Sequence, residues 1–464
     1  MKRTLSLLVA VMMIITAAGC AQPPKLLETE HLPSSLEETK PTTVPTVPEP
    51  LPTEPQPTEP EPTEPQPTEP EPTEPQPTEP EPTEPELSDR EQVELQIWVT
   101  ADDFHSGNWL DTVMNKFETS HQEYRIIWDI QISRFDNLDP YSNVTADVYI
   151  FYHDKMEGLI QHGALKELTG NEKEQVLTDN STTTVNTITY ADGGIYGFPI
   201  NSNTWYMYYN KDVFTAEDVT SLDAMLKKGK VAFPMTNAWF NATFFLANGC
   251  TMFGDKSNDP SAGIQFGGEK GYEAAAKMLE LSKNPNLINM DQIAAYEKFT
   301  TGKVDAIFSG SWDYSALKHA LGNKMGVVQL PMVEIGGKNV QMKSFAGSNC
   351  VGVNPNSHHP EMAMALAALM ASPEIQLIRF KELDIIPAAK ELISDPAVMC
   401  SDVAMAEINT MTYCAVAEPT INATQFYWTP MSNFGQDILF GEITPDNLKE
   451  KVDCFVADLN GRGL

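Results

Sequence analysis

The chain predicts an α/β protein whose globular part is divided into two lobes. Three observations carry this. Strand-like runs alternate with helix-like runs along most of the sequence, a pattern that builds α/β sheets with mostly parallel strands. The globular stretch from Glu91 to Leu464 is long enough for two separate cores. A proline-rich repeat sets that stretch apart from a short N-terminal leader.

The leader comes first. Lys2 and Arg3 precede an apolar run from Leu5 to Ala18, and Ala17-Ala18-Gly19 places small residues just before Cys20. A charged start, a greasy middle and a small-residue end make a secretory signal, residues 1–19. The run is too short to span a bilayer, which takes about 20 apolar residues. A cysteine directly after such a site resembles the lipobox of bacterial lipoproteins, which implies acylation of Cys20 and an extracellular, membrane-tethered protein. An ordinary secreted protein is the alternative.

Residues 20–90 read as a tether. From Pro52 to Glu86 the chain repeats Pro-Thr-Glu-Pro-Gln-Pro-Thr-Glu-Pro-Glu. Such dense proline removes backbone donors and fixes φ, leaving extended polyproline II as the accessible form. At about 3.1 Å per residue this repeat reaches on the order of 110 Å.

The globular part is residues 91–464. Leu95–Val99 alternates like a strand, and Leu110, Val113, Met114 and Phe117 recur at helical spacing. Tyr124–Ile132 is rich in strand formers, and Asp147–Tyr152 reads as a buried strand. Pro360 and Glu361 suit the first turn of a helix through Met370.

Charge narrows the function. The net charge is −33, to which residues 21–90 contribute 17 acidic against 3 basic side chains. An acidic surface repels phosphate backbones, so nucleic acid is not an expected partner. Beyond Cys20 there are Cys250, Cys350, Cys400, Cys414 and Cys454, with no C-x-x-C pair, so no zinc site is expected. Cys400 and Cys414 are spaced to close a loop, but buried free thiols fit equally. No hydrolase, zincin, phosphate-loop or dinucleotide motif is present. Catalytic residues, metal and cofactor are therefore expected to be none.

Aromatics suggest a binding cleft instead. Phe151, Tyr152, Trp205, Trp239, Trp312, Tyr427 and Trp428 sit at strand ends or in polar stretches. Ligands of α/β sheets bind beyond the carboxyl ends of strands. Flat aromatic faces beside carboxylates and amides suit sugar rings, whose C–H faces stack while hydroxyls need polar partners.

At these residues the chain resembles the extracellular solute-binding proteins of ABC importers, in their maltose- and maltodextrin-binding branch. Leu95-Gln-Ile-Trp-Val99 with Trp109–Glu118 is similar to the family's first strand and helix. Asp147–Asp154 with Gly158–Gly163 resembles its third pair. Ile195–Ile200 with Tyr208–Asp212 resembles the first crossing between lobes, and Phe299–Ala306 leading to Ser309-Gly-Ser-Trp312 is equally typical.

The resemblance implies a type II periplasmic-binding-protein-like fold with a hinged interlobe cleft. It implies lobe 1 at about residues 91–201 and 331–384, and lobe 2 at about 204–328 and 387–464. Crossings are expected near Ile200–Asn203, Leu330–Pro331 and Asp384–Pro387. It implies ligand contacts from Asp102, Phe151, Asp154, Asn203, Trp239, Trp312, Tyr427 and Trp428. Asn203 stands where maltose binders place a glutamate, and Asp103 replaces a lysine. The implied function is capture of an oligosaccharide, maltodextrin-like, by a monomer that delivers it to a membrane permease. A surface carbohydrate-active enzyme, a polysaccharide-adhesion module, or a binder of a non-sugar solute such as a polyamine are the alternatives.

Overall fold

A computed structural model describes residues 90–105, 107–133 and 144–461. The leader, Cys20 and the tether lie outside the described residues. Within one compact unit, two mixed sheets each carry their own core, giving the two lobes.

The first sheet begins with β1 (Glu91–Val99), where Leu95, Ile97 and Val99 point inward and are fully buried. A short helix α1 (Ala101–His105) leads to α2 (Trp109–Ser120). Trp109, Val113 and Phe117 recur every four residues, and that stripe is buried. β2 (Tyr124–Ile132) and β3 (Val148–Tyr152) both run parallel to β1. The short helix α3 (Met156–Gln161) comes after β3 and a single tight turn, His153–Lys155.

β4 (Phe198–Asn203) belongs to this sheet, and two residues later β5 (Tyr206–Asn210) belongs to the second. The second sheet adds β6 (Val231–Phe233), the short helix α4 (Ala238–Asn241), β7 (Leu287–Asn289), β8 (Ala306–Ser309) and β9 (Met325–Val328). Its strand order is β7-β6-β8-β5-β9. β5 runs antiparallel to both neighbours, whereas β6 is parallel to both of its own.

The chain returns through β10 (Ser344–Val353), antiparallel to β3 and β4. The helices α5 (Pro360–Met370) and α6 (Pro373–Leu383) start at prolines, and the Ser372 hydroxyl caps α6 by accepting from the Ile375 N–H. α7 (Asp402–Tyr413) precedes β11 (Ala415–Ala417), which pairs parallel with β10. The chain ends in α8 (Trp428–Phe440) and α9 (Leu448–Gly461).

Packing shifts the expected lobe boundaries in two places. The hairpin of Met332–Ile335 and Lys338–Gln341 was expected in lobe 1, but its Val333 and Ile335 are buried in the second core. β11 was expected in lobe 2, but it extends the first sheet through Ser344–Ala346. Both fall at crossings, where neighbours along the chain serve different cores.

Cys250, Cys350, Cys414 and Cys454 are free thiols. No single helix among the described residues is long and apolar enough to cross a membrane.

Candidate ligand-binding cleft

The cleft is built where β3, β4 and β10 of the first sheet end against α4 and the turn after β8. Strand β8 ends at Ser309, and the next turn, Ser311–Asp313, carries Trp312 outward, 50% exposed. Gly310 makes this possible, because a Cβ there would lie 2.1 Å from the indole ring. The turn is fixed at both ends. Tyr208 Oη donates to the Gly310 carbonyl at 2.8 Å, and the Ser309 hydroxyl donates to the Asp313 carboxylate.

Trp239 stands beside it, with ring centroids 6.0 Å apart and planes tilted by 39°. Its helix α4 is capped by Asn237, whose Oδ1 accepts from the Trp239 N–H. The indole Nε1 donates to Glu418 Oε2 at 3.0 Å. Glu418 comes directly after β11 and its side chain is 14% exposed. Burial raises its pKa, while the nearby His153 pulls it down. His153 Nε2 lies 3.9 Å from the carboxylate, too long for a hydrogen bond. The His153 Nδ1 accepts from the Ser348 N–H at 3.3 Å, which leaves the ring proton on Nε2, facing Glu418. Gly347 lies under that imidazole, where a Cβ would meet Cε1 at 2.4 Å.

Alternation along β4 sorts the floor of the cleft. Asn201 faces Asn349 across the strand pair, and Asn203 faces Gly347. These four therefore share one side of the sheet, the side on which His153 sits. The Oδ1 atoms of Asn201 and Asn349 are buried and have no hydrogen-bond partner among the described residues. Unpaired buried acceptors are costly and suit a ligand that brings hydroxyl donors. Reading the sequence singled out Asn203 alone. The N-S-N spacing of Asn201 and Asn203 was the available signal for a shared face. On the opposite side, the Ser202 hydroxyl donates to Glu407 Oε1 at 2.6 Å, and burial pushes that carboxyl up to about 7.

Several expected ligand residues stand elsewhere. Phe151 is 1% exposed and packs beside Tyr149 in the first core, because β3 is buried on both faces until its last residue. Tyr152 is the one that emerges, 38% exposed. Tyr427 is also sealed, its hydroxyl donating to the Ala238 carbonyl at 2.9 Å, so it braces α4 from behind. Phe426, its neighbour, is exposed instead, and Trp428 is half-buried against Phe345. Trp205 is fully buried and packs on Phe240. Asp103 is consumed by a buried ion pair with Arg379 at 2.8 Å. Asp154 is exposed and paired with Lys155 at 3.0 Å. Asp102 lies in α1, with its side chain outside the described residues.

The two lobes touch through side-chain hydrogen bonds. Asn258 Nδ2 donates to the Tyr190 carbonyl at 3.2 Å, and Asn422 Nδ2 donates to Gln161 Oε1 at 3.3 Å. A groove of about 700 Å³ lies apart from these residues, between α2 and α5–α6, lined by Lys116, Leu369 and Glu374 among others. It is open and holds none of the expected ligand groups.

An exposed tryptophan pair near unpartnered polar groups, between two mixed α/β sheets, suits the holding of a solute. The sequence profile of bacterial extracellular solute-binding proteins matches residues 115–407. The chain belongs to this family. Its members bind solutes and are not enzymes. The chain is 28% identical over 375 residues to the galactooligosaccharide-binding protein of Bacillus subtilis, covering 76% of this chain and 86% of that one. It is 25% identical over 331 residues to a maltooligosaccharide ABC transporter solute-binding lipoprotein of Streptococcus pneumoniae, covering 66% and 74%. A solved structure with acarbose is 37% identical, with a TM-score of 0.69 over 80% of this chain and 99% of that one. The maltodextrin-binding protein of L. casei shares the fold at 22% identity, with a TM-score of 0.73 over 80% and 99%.

Proposed function

We propose that this solute-binding protein captures a neutral, maltodextrin-like oligosaccharide outside the cell and passes it to the permease of an ABC importer. The observation that carries the reading is the exposed Trp312 ring held beside Trp239, which Glu418 and His153 link to the sheet face carrying unpaired asparagine carbonyls. The rings would stack on sugar faces, and Asn201, Asn203 and Asn349 would take hydroxyls. Relatives named for galacto- and maltooligosaccharides, and a similar structure with acarbose, support the same class. A polyamine is less well served, since Asp103 is already paired with Arg379.

Lobe 1, about 91–201 and 331–384, and lobe 2, about 204–328 and 387–464, would close on the sugar, with the exchanges at the Met332–Gln341 hairpin and β11 described above. Ligand-driven hinge closure works because the closed form alone lets both lobes touch the ligand. The protein would act as a monomer, acylated at Cys20 and held off the membrane by the tether. Cys20→Ser should release the full chain from the membrane fraction with sugar affinity unchanged; a variant still in the membrane fraction would refute the anchor. Thermal-shift titration with maltodextrins, galactooligosaccharides and spermidine tests the ligand class, since a ligand raises the melting temperature by mass action. A rise with spermidine alone would overturn the sugar reading.

A further inference from the structure

We propose that Glu418 is a positioning residue that fixes the Trp239 ring in register with the first sheet, and so sets the shape of the ligand shelf. The inference rests on the oligosaccharide reading of the cleft and goes further, because it assigns a role to a side chain that need not touch the sugar.

The geometry is a bridge. The Glu418 backbone N–H donates to the Ala346 carbonyl at 2.9 Å, so the residue rides on β10 of the first sheet. Its carboxylate reaches Trp239 Nε1 in α4, which belongs to the second lobe, at 3.0 Å. On its other side stands His153, from the turn after β3. Trp239 needs such a hold. It sits on a four-residue helix, half-buried, with Phe240 edge-on at 5.2 Å and Trp312 tilted at 6.0 Å. Neither ring contact fixes the rotation of the indole, whereas a hydrogen bond at its one polar atom does.

Burial argues for a role as well. A carboxylate with 14% exposure is retained against its desolvation cost only where partners hold it. Here Trp239 supplies the hydrogen bond and Lys155 the favourable charge, with Asp154 opposing, while the His153 ring edge faces the carboxylate. Removing the acceptor strands the indole N–H and frees the ring to rotate off Trp312.

The test uses the full chain with Glu418→Leu, which removes the acceptor, and Glu418→Gln, which keeps a carbonyl oxygen. Maltotetraose is the probe in titration calorimetry. Glu418→Leu should weaken binding about tenfold, and Glu418→Gln by no more than about threefold. In a Trp239→Phe background, Glu418→Leu should add no further loss, because the effect runs through that indole. The Trp239 indole N–H resonance, assigned with Trp239→Phe, should move upfield in Glu418→Leu and stay near its wild-type place in Glu418→Gln. Wild-type binding with an unmoved resonance in Glu418→Leu overturns the proposal, as does an equal loss with and without Trp239. If wild type binds no maltotetraose, the sugar reading fails separately and the resonance alone decides the positioning role.

Discussion

Trp312 and Phe151 both sit where a strand hands over to a turn, yet one is half exposed and the other is sealed in a core. The difference lies in where each turn begins. After β8, Gly310 lets the chain fold so that the indole lies back over it and faces outward. After β3, the turn begins only past Tyr152, so Phe151 is still inside the sheet with both faces covered. An aromatic at a strand end is a platform only if it lies beyond the last doubly covered residue. A shift of one position exchanges a ligand contact for a core contact.

Truncating each aromatic should separate the two regions sharply. Phe151→Ala is expected to lower stability by about 3–5 kcal/mol, as for a fully buried phenylalanine, while the folded fraction keeps its sugar affinity. Chemical denaturation and calorimetry on the same sample check both halves. A stable Phe151→Ala protein with lost affinity would restore Phe151 to the site and break the comparison.

The two sides of β4 offer the same contrast in polar groups. Asn201 and Asn203 share the sheet face on which His153 sits, whereas Ser202 between them holds Glu407 on the other side. Burial lifts the folded Glu407 carboxyl from 4.5 to about 7. Between those values the folded state binds more protons than the unfolded state, so stability falls as pH rises from about 4.5 to about 7 and levels off above. The part due to Glu407 is roughly 3–4 kcal/mol, at about 1.4 kcal/mol per unit. Glu407→Gln should flatten most of that slope in urea melts taken across the range. Glu157 and Glu418, also raised by burial, would leave a residue of the same sign. An unchanged slope would mean that Glu407 is not the buried titrating group of the crossing.

Trp312→Ala should weaken sugar binding by about tenfold or more, roughly 1.4 kcal/mol upward, while the unliganded melting temperature barely moves. A large stability loss with intact affinity would make Trp312 a packing residue like Phe151. The smallest effect belongs to Tyr152, the exposed neighbour of Phe151. Tyr152→Ala should reduce affinity by no more than about threefold, with stability unchanged within about 0.5 kcal/mol.

The fold was legible because its signals are periodic. The four-residue stripe of Trp109, Val113 and Phe117 and the alternation of Leu95, Ile97 and Val99 gave helix and strand correctly. The chain order of motifs gave the family and the crossing at Asn203, since two residues separate β4 from β5. The site was only half legible. The small Ser309-Gly-Ser311 run marks the turn that exposes Trp312, and the resemblance to the family pointed to Trp239, whose ring lies 6.0 Å from it. Phe151 and Tyr427 are sealed in the cores because facing depends on partners far along the chain. β10 covers Phe151, Ala238 takes the Tyr427 hydroxyl, and Arg379 takes Asp103. Glu418 carried no local signal, since its importance comes from meeting Trp239 across 179 positions.

The most direct measurement of the central claim is calorimetric titration of the purified full chain with maltotetraose, a galactooligosaccharide and spermidine, each under the same buffer. The account predicts saturable one-to-one binding of a neutral oligosaccharide with a Kd of about micromolar or tighter, and no heat with spermidine. Silence with every neutral oligosaccharide, or saturable binding of spermidine alone, would contradict it.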